Sequence, residues 1–84
     1  MLSNRYLVNV GFNNVVVLKR IIAVVNADVA PVKRLKEEAR RQNKLIDVTN
    51  GRSTRAVIIT DSNHVILSSI QPETVTQRIE DRNE

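Results

Sequence analysis

The residues best suited to chemistry are arginines and short polar side chains in residues 50–55, Asn-Gly-Arg-Ser-Thr-Arg, which we call the arginine turn. It offers two guanidinium groups, Arg52 and Arg55, together with hydroxyls and backbone N–H groups at one protruding place. These are the donors that contact phosphates, because charged groups hold the backbone and short polar groups fix the register. The alternative is a polar turn whose arginines are solvated or paired with Asp47 or Asp61.

The chain has few of the side chains that form a catalytic or metal site. There is one histidine, His64, and no cysteine, which excludes a thiolate ligand and a cysteine nucleophile. Asp61, Ser62 and His64 are close in sequence, but a nucleophile, a base and an orienting group must converge in space. We interpret them as a turn with local hydrogen bonds. We therefore expect no enzyme, no metal, no cofactor and no small-molecule ligand.

The charge is unevenly distributed along the chain. Residues 1–60 hold 11 basic and 4 acidic side chains, whereas residues 61–84 hold 2 basic and 5 acidic ones, for a net charge of +4. This pattern predicts a basic surface that attracts polyanions. One group of cations is interrupted by Glu37 and Glu38, and we interpret it as a solvated helix face. That group is Lys33, Arg34, Lys36, Arg40, Arg41 and Lys44.

The apolar runs are too short for a membrane span. The longest charge-free run, residues 6–18, contains three asparagines and a glycine, whereas a span needs about 20 mostly apolar residues. Residues 1–5 lack the pattern of a secretory signal. We expect no membrane contact and a cytoplasmic location.

Val and Ile supply 21 of the 35 apolar residues, and branching at Cβ favours strands. The residues 11–13 predict a hairpin connection, and Asn50-Gly51 predicts a second hairpin between the strands that flank it. The predicted strands are residues 6–10, 14–18, 20–25, 45–48, 55–60 and 64–68.

Two segments predict helices. Residues 32–42 place Val32, Leu35 and Ala39 on one stripe, with Pro31 in the first turn and Asp28 as a cap. Residues 72–82 form the second helix, which is acidic. Its narrow apolar stripe consists of Val75 and Ile79.

These elements predict one domain, residues 1–84, with the strands and main helix in 5–69 and a C-terminal helix in 72–82. The fold class is α+β: a small, mostly antiparallel β-sheet with one long helix and a C-terminal helix. A chain of this size buries only about 60% of its unfolded surface, and two almost wholly apolar strands need cover on both faces. Self-association is therefore expected, with the Val75 and Ile79 stripe as a candidate contact.

Several blocks of the sequence resemble the RemA family of bacterial extracellular matrix regulatory proteins. The resemblance covers roughly residues 6–79. Its blocks are NVGF at 9–12, RIIAVV at 20–25, APVKR at 30–34, LIDVT at 45–49, GRSTRAVIITDS at 51–62, HVILS at 64–68 and QPETV at 71–75.

The resemblance implies a small regulator that binds double-stranded DNA, assembles as a ring-like homo-oligomer and is associated with the nucleoid. The family's arginines at the strand start and in the turn match Arg20 and Arg52. Arg55 matches the last arginine of the turn motif. The family position after Arg52 is usually arginine but is Ser53 here, and the neighbouring Lys19 can offset the missing cation.

Each subunit offers only a few cations, and a ring of identical subunits would combine them into many phosphate contacts. No recognition helix is evident in the sequence, so we expect the protein to contact the phosphates and the shape of a duplex. The chain has only two aromatic residues, which argues against binding single strands by stacking their bases on aromatic rings. The alternative function is an oligomeric scaffold, or a module that binds RNA or protein without strong DNA binding.

Overall fold

The computed structural model describes residues 6–82 of the chain. Within that span, short strands alternate with two α-helices, and a 3₁₀ helix at Leu18–Arg20 links the second strand to the third. The elements are β1 (Leu7–Asn9), β2 (Val15–Val17), β3 (Ile21–Asn26), α1 (Pro31–Arg41), β4 (Leu45–Asp47), β5 (Ala56–Thr60), β6 (Val65–Ser68) and α2 (Pro72–Arg82).

The strands form two sheets. The larger has the order β3-β5-β6-β4, in which β5 pairs antiparallel with both of its neighbours and β4 pairs parallel with β6. The smaller is the antiparallel β1–β2 hairpin. The α+β prediction is confirmed, while the single sheet expected from the sequence is replaced by two, with one parallel pair.

Strand β5 is the centre of the molecule, and its first three residues are fully buried. Because successive side chains in a strand point to opposite faces, Ala56 and Ile58 pack with the hairpin and α2, whereas Val57 packs beneath α1. The chain itself therefore covers both faces of this strand. The apolar strand β3 lies at the sheet edge, and its Ile22 remains 65% exposed.

The predicted second hairpin is wrong, although its turn is present. Asn50 and Gly51 have positive φ, and the Arg52 N–H donates to the Thr49 carbonyl at 3.1 Å. However, β4 pairs with β6 and not with β5. Both edges of β5 are already occupied, by β3 and β6, so β4 must join the sheet at the far side of β6.

Both helices form close to their predicted positions, with two corrections. The N-cap of α1 is Ala30, with no side-chain cap, and the Asp28 N–H instead donates to Asn26 Oδ1 at 2.8 Å. Asp28 therefore does not cap the helix. In α2, Val75 is fully buried in the core of its own subunit, so it is not available as a contact between copies.

Candidate nucleic-acid interface

The arginine turn protrudes from the end of the sheet at which β5 begins. Arg52, Ser53 and Arg55 are all exposed. The backbone of Arg55 is fixed between two strands, because its N–H donates to the Ser68 carbonyl at 2.8 Å and its carbonyl accepts from the Ala27 N–H at 3.2 Å. The two guanidinium groups therefore extend from an anchored backbone.

Asp47 shapes the entry into the arginine turn. Its Oδ1 accepts the Thr49 hydroxyl at 2.6 Å and the Thr49 N–H at 2.9 Å. These two hydrogen bonds hold the pKa of the Asp47 carboxyl below its usual value, and the bond from the Thr49 hydroxyl has the larger effect. The cross-strand pairing of Asp47 with Arg55 that the sequence left open does not form, since β6 lies between β4 and β5.

The tip of the β1–β2 hairpin, residues 10–14, lies at the same end of the sheet. The Ser68 hydroxyl donates to the Val10 carbonyl at 2.7 Å, and the Arg52 guanidinium carbon lies 5.8 Å from the centroid of the Phe12 ring. Sequence reasoning missed Phe12 as a site residue. The available signal was an aromatic residue inside a turn otherwise composed of Gly and Asn.

Lys19 and Arg20 lie at the opposite end of the sheet. They precede Ile21, which pairs with Thr60, whereas Arg55 precedes Ala56, which pairs with Asn26. Five residue steps along β3 and four along β5, at about 3.4 Å each, separate the two ends by about 14–17 Å. One chain therefore brings Arg52, Ser53 and Arg55 together but keeps Lys19 and Arg20 apart from them.

Arg20 is engaged by a carboxylate in this structure. Its Nε lies 2.8 Å from Asp61 Oδ1, and the two side chains are 54% and 47% exposed. Among the side chains that the structure describes, this is the one ion pair within 4 Å. Asp61 thus pairs with Arg20 and leaves both guanidinium groups of the arginine turn unpaired by described carboxylates.

The polar cluster around His64 is local. His64 Nδ1 lies 2.7 Å from Ser62 Oγ, which lies 2.9 Å from Thr60 Oγ1. Asp61 takes no part in it, so the three neighbours considered for a catalytic set do not converge. Across residues 6–82 no group of three or more metal-ligating side chains is found, and none of the helices described there is long and apolar enough to cross a membrane.

Exposed aliphatic side chains gather in two grooves. The first, which we call the β4 face, consists of Val15 and Val17 of β2 and Ile46 of β4, which are 52%, 38% and 43% exposed, and Arg20 and His64 line the same groove. The second, which we call the β3 face, is a groove in which Ile22 lies beside Thr76 and Ile79 of α2. Ile22 and Ile46 lie on β3 and β4, the two outer strands of the larger sheet.

Comparison with known proteins shows which family the chain resembles. The family described as "Extracellular matrix regulatory protein A-like" (RemA-like) matches residues 7–79. A protein of Thermodesulfovibrio yellowstonii is 61% identical over 77 residues, 92% of this chain and 91% of its own length. One of Kosmotoga olearia is 64% identical over 72 residues, 86% of this chain and 73% of its own length. Both are named "Putative regulatory protein".

Proposed function

Because this chain belongs to the RemA-like family, we propose that it is a transcriptional regulator that binds duplex DNA as a ring-like homo-oligomer. The observation that carries the proposal is the exposed arginine turn, in which no described carboxylate neutralises Arg52 or Arg55. Such a protein associates with the nucleoid and has no catalytic role.

The arginine turn has the chemistry of a phosphate contact. Two guanidinium groups supply charge-assisted donors, which form shorter and stronger hydrogen bonds than neutral donors. Ser53 lies between them and is exposed, so its hydroxyl adds a neutral donor that helps to fix register. The anchored backbone limits the ordering that binding requires, because the turn already has its hydrogen bonds.

The second cationic position suits the same duplex. Lys19 and Arg20 lie at the other end of the strands from the arginine turn, and those ends are about 14–17 Å apart, less than one helical turn of B-DNA at about 34 Å, so one duplex can span both positions. Arg20 must leave Asp61 to reach DNA. An exposed ion pair is worth only about 0–1 kcal/mol, so a phosphate competes with it.

One chain offers too few cations for tight binding, and repetition of the chain supplies more. Ile22 of the β3 face and Ile46 of the β4 face are exposed on the two outer strands of the larger sheet, so the occupant we propose for each of these apolar positions is the other one on a second copy. A contact between two different faces is heterologous, and it closes into a ring when the rotation between copies allows it. The ring repeats the arginine turn at regular intervals, so its cations act together on one duplex.

A competition experiment tests the proposal against an RNA-binding or protein-binding scaffold. The protein is bound to a labelled duplex, and unlabelled duplex DNA or RNA of the same length and sequence is added. We expect duplex DNA to displace the label at far lower concentration than RNA. Equal displacement by RNA, or no complex with DNA at low salt, contradicts the proposal.

A further inference from the structure

Phe12 occupies a backbone conformation that bulky side chains avoid. Its φ is +54° and that of Asn13 is +65°, so both central residues of this turn are in the left-handed region. Apart from Phe12, the described residues with positive φ are all glycine or asparagine, which tolerate that region. The Phe12 side chain is also 45% exposed. An unfavourable backbone and an exposed ring at one residue point to a functional role.

Polar contacts hold the turn in this shape. The Gly11 N–H donates to Asn9 Oδ1 at 2.8 Å, and Asn14 Nδ2 donates to the Gly11 and Phe12 carbonyls at 3.0 and 3.3 Å. The Ser68 hydroxyl ties the preceding Val10 carbonyl to the end of β6. The backbone that carries the ring is therefore held by hydrogen bonds to its own N–H and carbonyl groups rather than by burial of the ring.

The ring faces the arginine turn, whose entry is fixed by the hydrogen bonds of Asp47 with Thr49. Arg52 lies over Phe12 at 5.8 Å from its centroid, within the range of a cation–π interaction. Two anchored turns thus meet through one guanidinium and one aromatic ring.

We propose that Phe12 is a positioning residue for Arg52, an inference that rests on the proposed function. The ring holds the guanidinium on the DNA-facing end of the sheet before the duplex arrives. A preoriented arginine loses less side-chain freedom when it contacts a phosphate. The alternative role, insertion of the Phe12 ring into the duplex as an apolar wedge, predicts a different outcome in the test below.

A double-mutant cycle on duplex binding separates the two roles. The proteins are the wild type, Phe12→Leu, Arg52→Ala and the double variant, each with the same labelled duplex and salt. Phe12→Leu keeps apolar bulk but removes the π face, and we expect it to weaken binding about two- to fivefold. In the Arg52→Ala background the same change has no effect, because Phe12 acts through Arg52. Equal effects of Phe12→Leu in both backgrounds overturn the positioning role.

Two further variants distinguish loss of the aromatic ring from a change in the structure of the turn. Phe12→Trp provides a stronger cation–π face, and we expect it to bind at least as tightly as the wild type. Phe12→Asn suits the left-handed backbone but lacks the ring, and we expect it to bind as weakly as Phe12→Leu. A Trp variant as weak as the Leu variant contradicts the proposal.

A measurement without DNA separates this inference from the proposed function. In NMR spectra of the free protein, the ring current of Phe12 shifts the Arg52 side-chain signals, and we expect the shift to vanish in Phe12→Leu. An unchanged Arg52 spectrum shows no Phe12 contact and overturns the inference alone. A wild type that does not bind duplex overturns the proposed function and, with it, the role of Phe12 in DNA binding, whatever the spectra show.

Discussion

Arg20 and Asp61 join the start of β3 to the end of β5 through a contact of 2.8 Å between Nε and Oδ1. Both side chains are about half exposed, so solvent screens the pair and its contribution to stability is small. For the proposed DNA binding the pair matters more, because Asp61 occupies the guanidinium that the family resemblance assigns to DNA.

Replacing Asp61 by Asn should strengthen duplex binding. Arg20 then reaches a phosphate without leaving an ion pair, and we expect affinity to rise about two- to fivefold, the size of an exposed pair. Fluorescence anisotropy at fixed salt measures the change.

Glu37→Gln is the matched control, since it also removes one negative charge but lies on α1. An Asp61→Asn variant that gains no more affinity than Glu37→Gln contradicts a specific release of Arg20. Adding Arg20→Ala to Asp61→Asn should abolish the gain.

The Asp47 carboxyl predicts a pH dependence of the arginine turn. Because the Thr49 hydrogen bonds lower its pKa in the folded state, their stabilising effect is fully present above the unfolded pKa of about 3.9 and is lost as pH falls through the folded pKa. The Thr49 amide signal in NMR should therefore move with the Asp47 carboxyl, with a midpoint below that of free aspartate. A midpoint at or above the free value contradicts this assignment, and Asp47→Asn should show no such transition.

At the scale of elements, two turns with positive φ at both central residues meet at the arginine end of the sheet. The two glycines in them have different surroundings. A Cβ on Gly11, at φ +112°, would lie 3.3 Å from Ile70 Cγ1, whereas one on Gly51, at φ +82°, would have no neighbour within 4 Å. The hairpin tip is therefore packed on the chain after β6, and the arginine turn is open.

Alanine substitutions should report this difference. Both Gly11→Ala and Gly51→Ala strain the backbone by about 1–2 kcal/mol, and Gly11→Ala adds roughly 1 kcal/mol or more from crowding against Ile70. Urea denaturation at one fixed protein concentration measures the free energy of unfolding. Equal losses in the two variants contradict the packed position of Gly11.

The sequence predicts these elements better than their arrangement. The β-branched runs predict the strands, and the stripe of Val32 and Ala39 predicts the buried side of α1. The local signal of Asn50-Gly51 predicts its turn but not its strand partners, because the pairing of β4 is decided by which edges of β5 remain free. The contact of Phe12 with Arg52 could not be predicted for the same reason, because it depends on the arrangement of two turns that are 40 residues apart in sequence.

For the whole molecule, we expect the two exposed apolar faces to decide how copies assemble. Ile22→Asp on the β3 face or Ile46→Asp on the β4 face places a charge where the proposed contact is apolar, and we expect either change to convert the oligomer to monomers. Light scattering after size-exclusion chromatography measures the mass. Val29→Asp is the control, because Val29 is 42% exposed and Ile46 is 43% exposed, but Val29 lies outside both faces.

Mixing the two variants tests the heterologous arrangement. Each variant retains the face that the other has lost, so an equimolar mixture should form a dimer through the one intact contact and stop there. A mixture that stays monomeric, or variants that keep the wild-type mass, contradicts this pairing of faces.

We propose that duplex phosphates bind the arginine turn, and a salt series measures this binding most directly. The anisotropy of a labelled duplex is followed at several salt concentrations with the wild type, Arg52→Ala and, as a control for charge alone, Arg41→Ala on the exposed side of α1. We expect the logarithm of wild-type affinity to fall linearly with the logarithm of salt concentration, by about 0.9 per phosphate contacted. Arg52→Ala should weaken binding and flatten that slope by about 0.9 for each copy in contact, while Arg41→Ala leaves the slope unchanged. No binding at low salt, or identical slopes for Arg52→Ala and Arg41→Ala, contradicts this proposal.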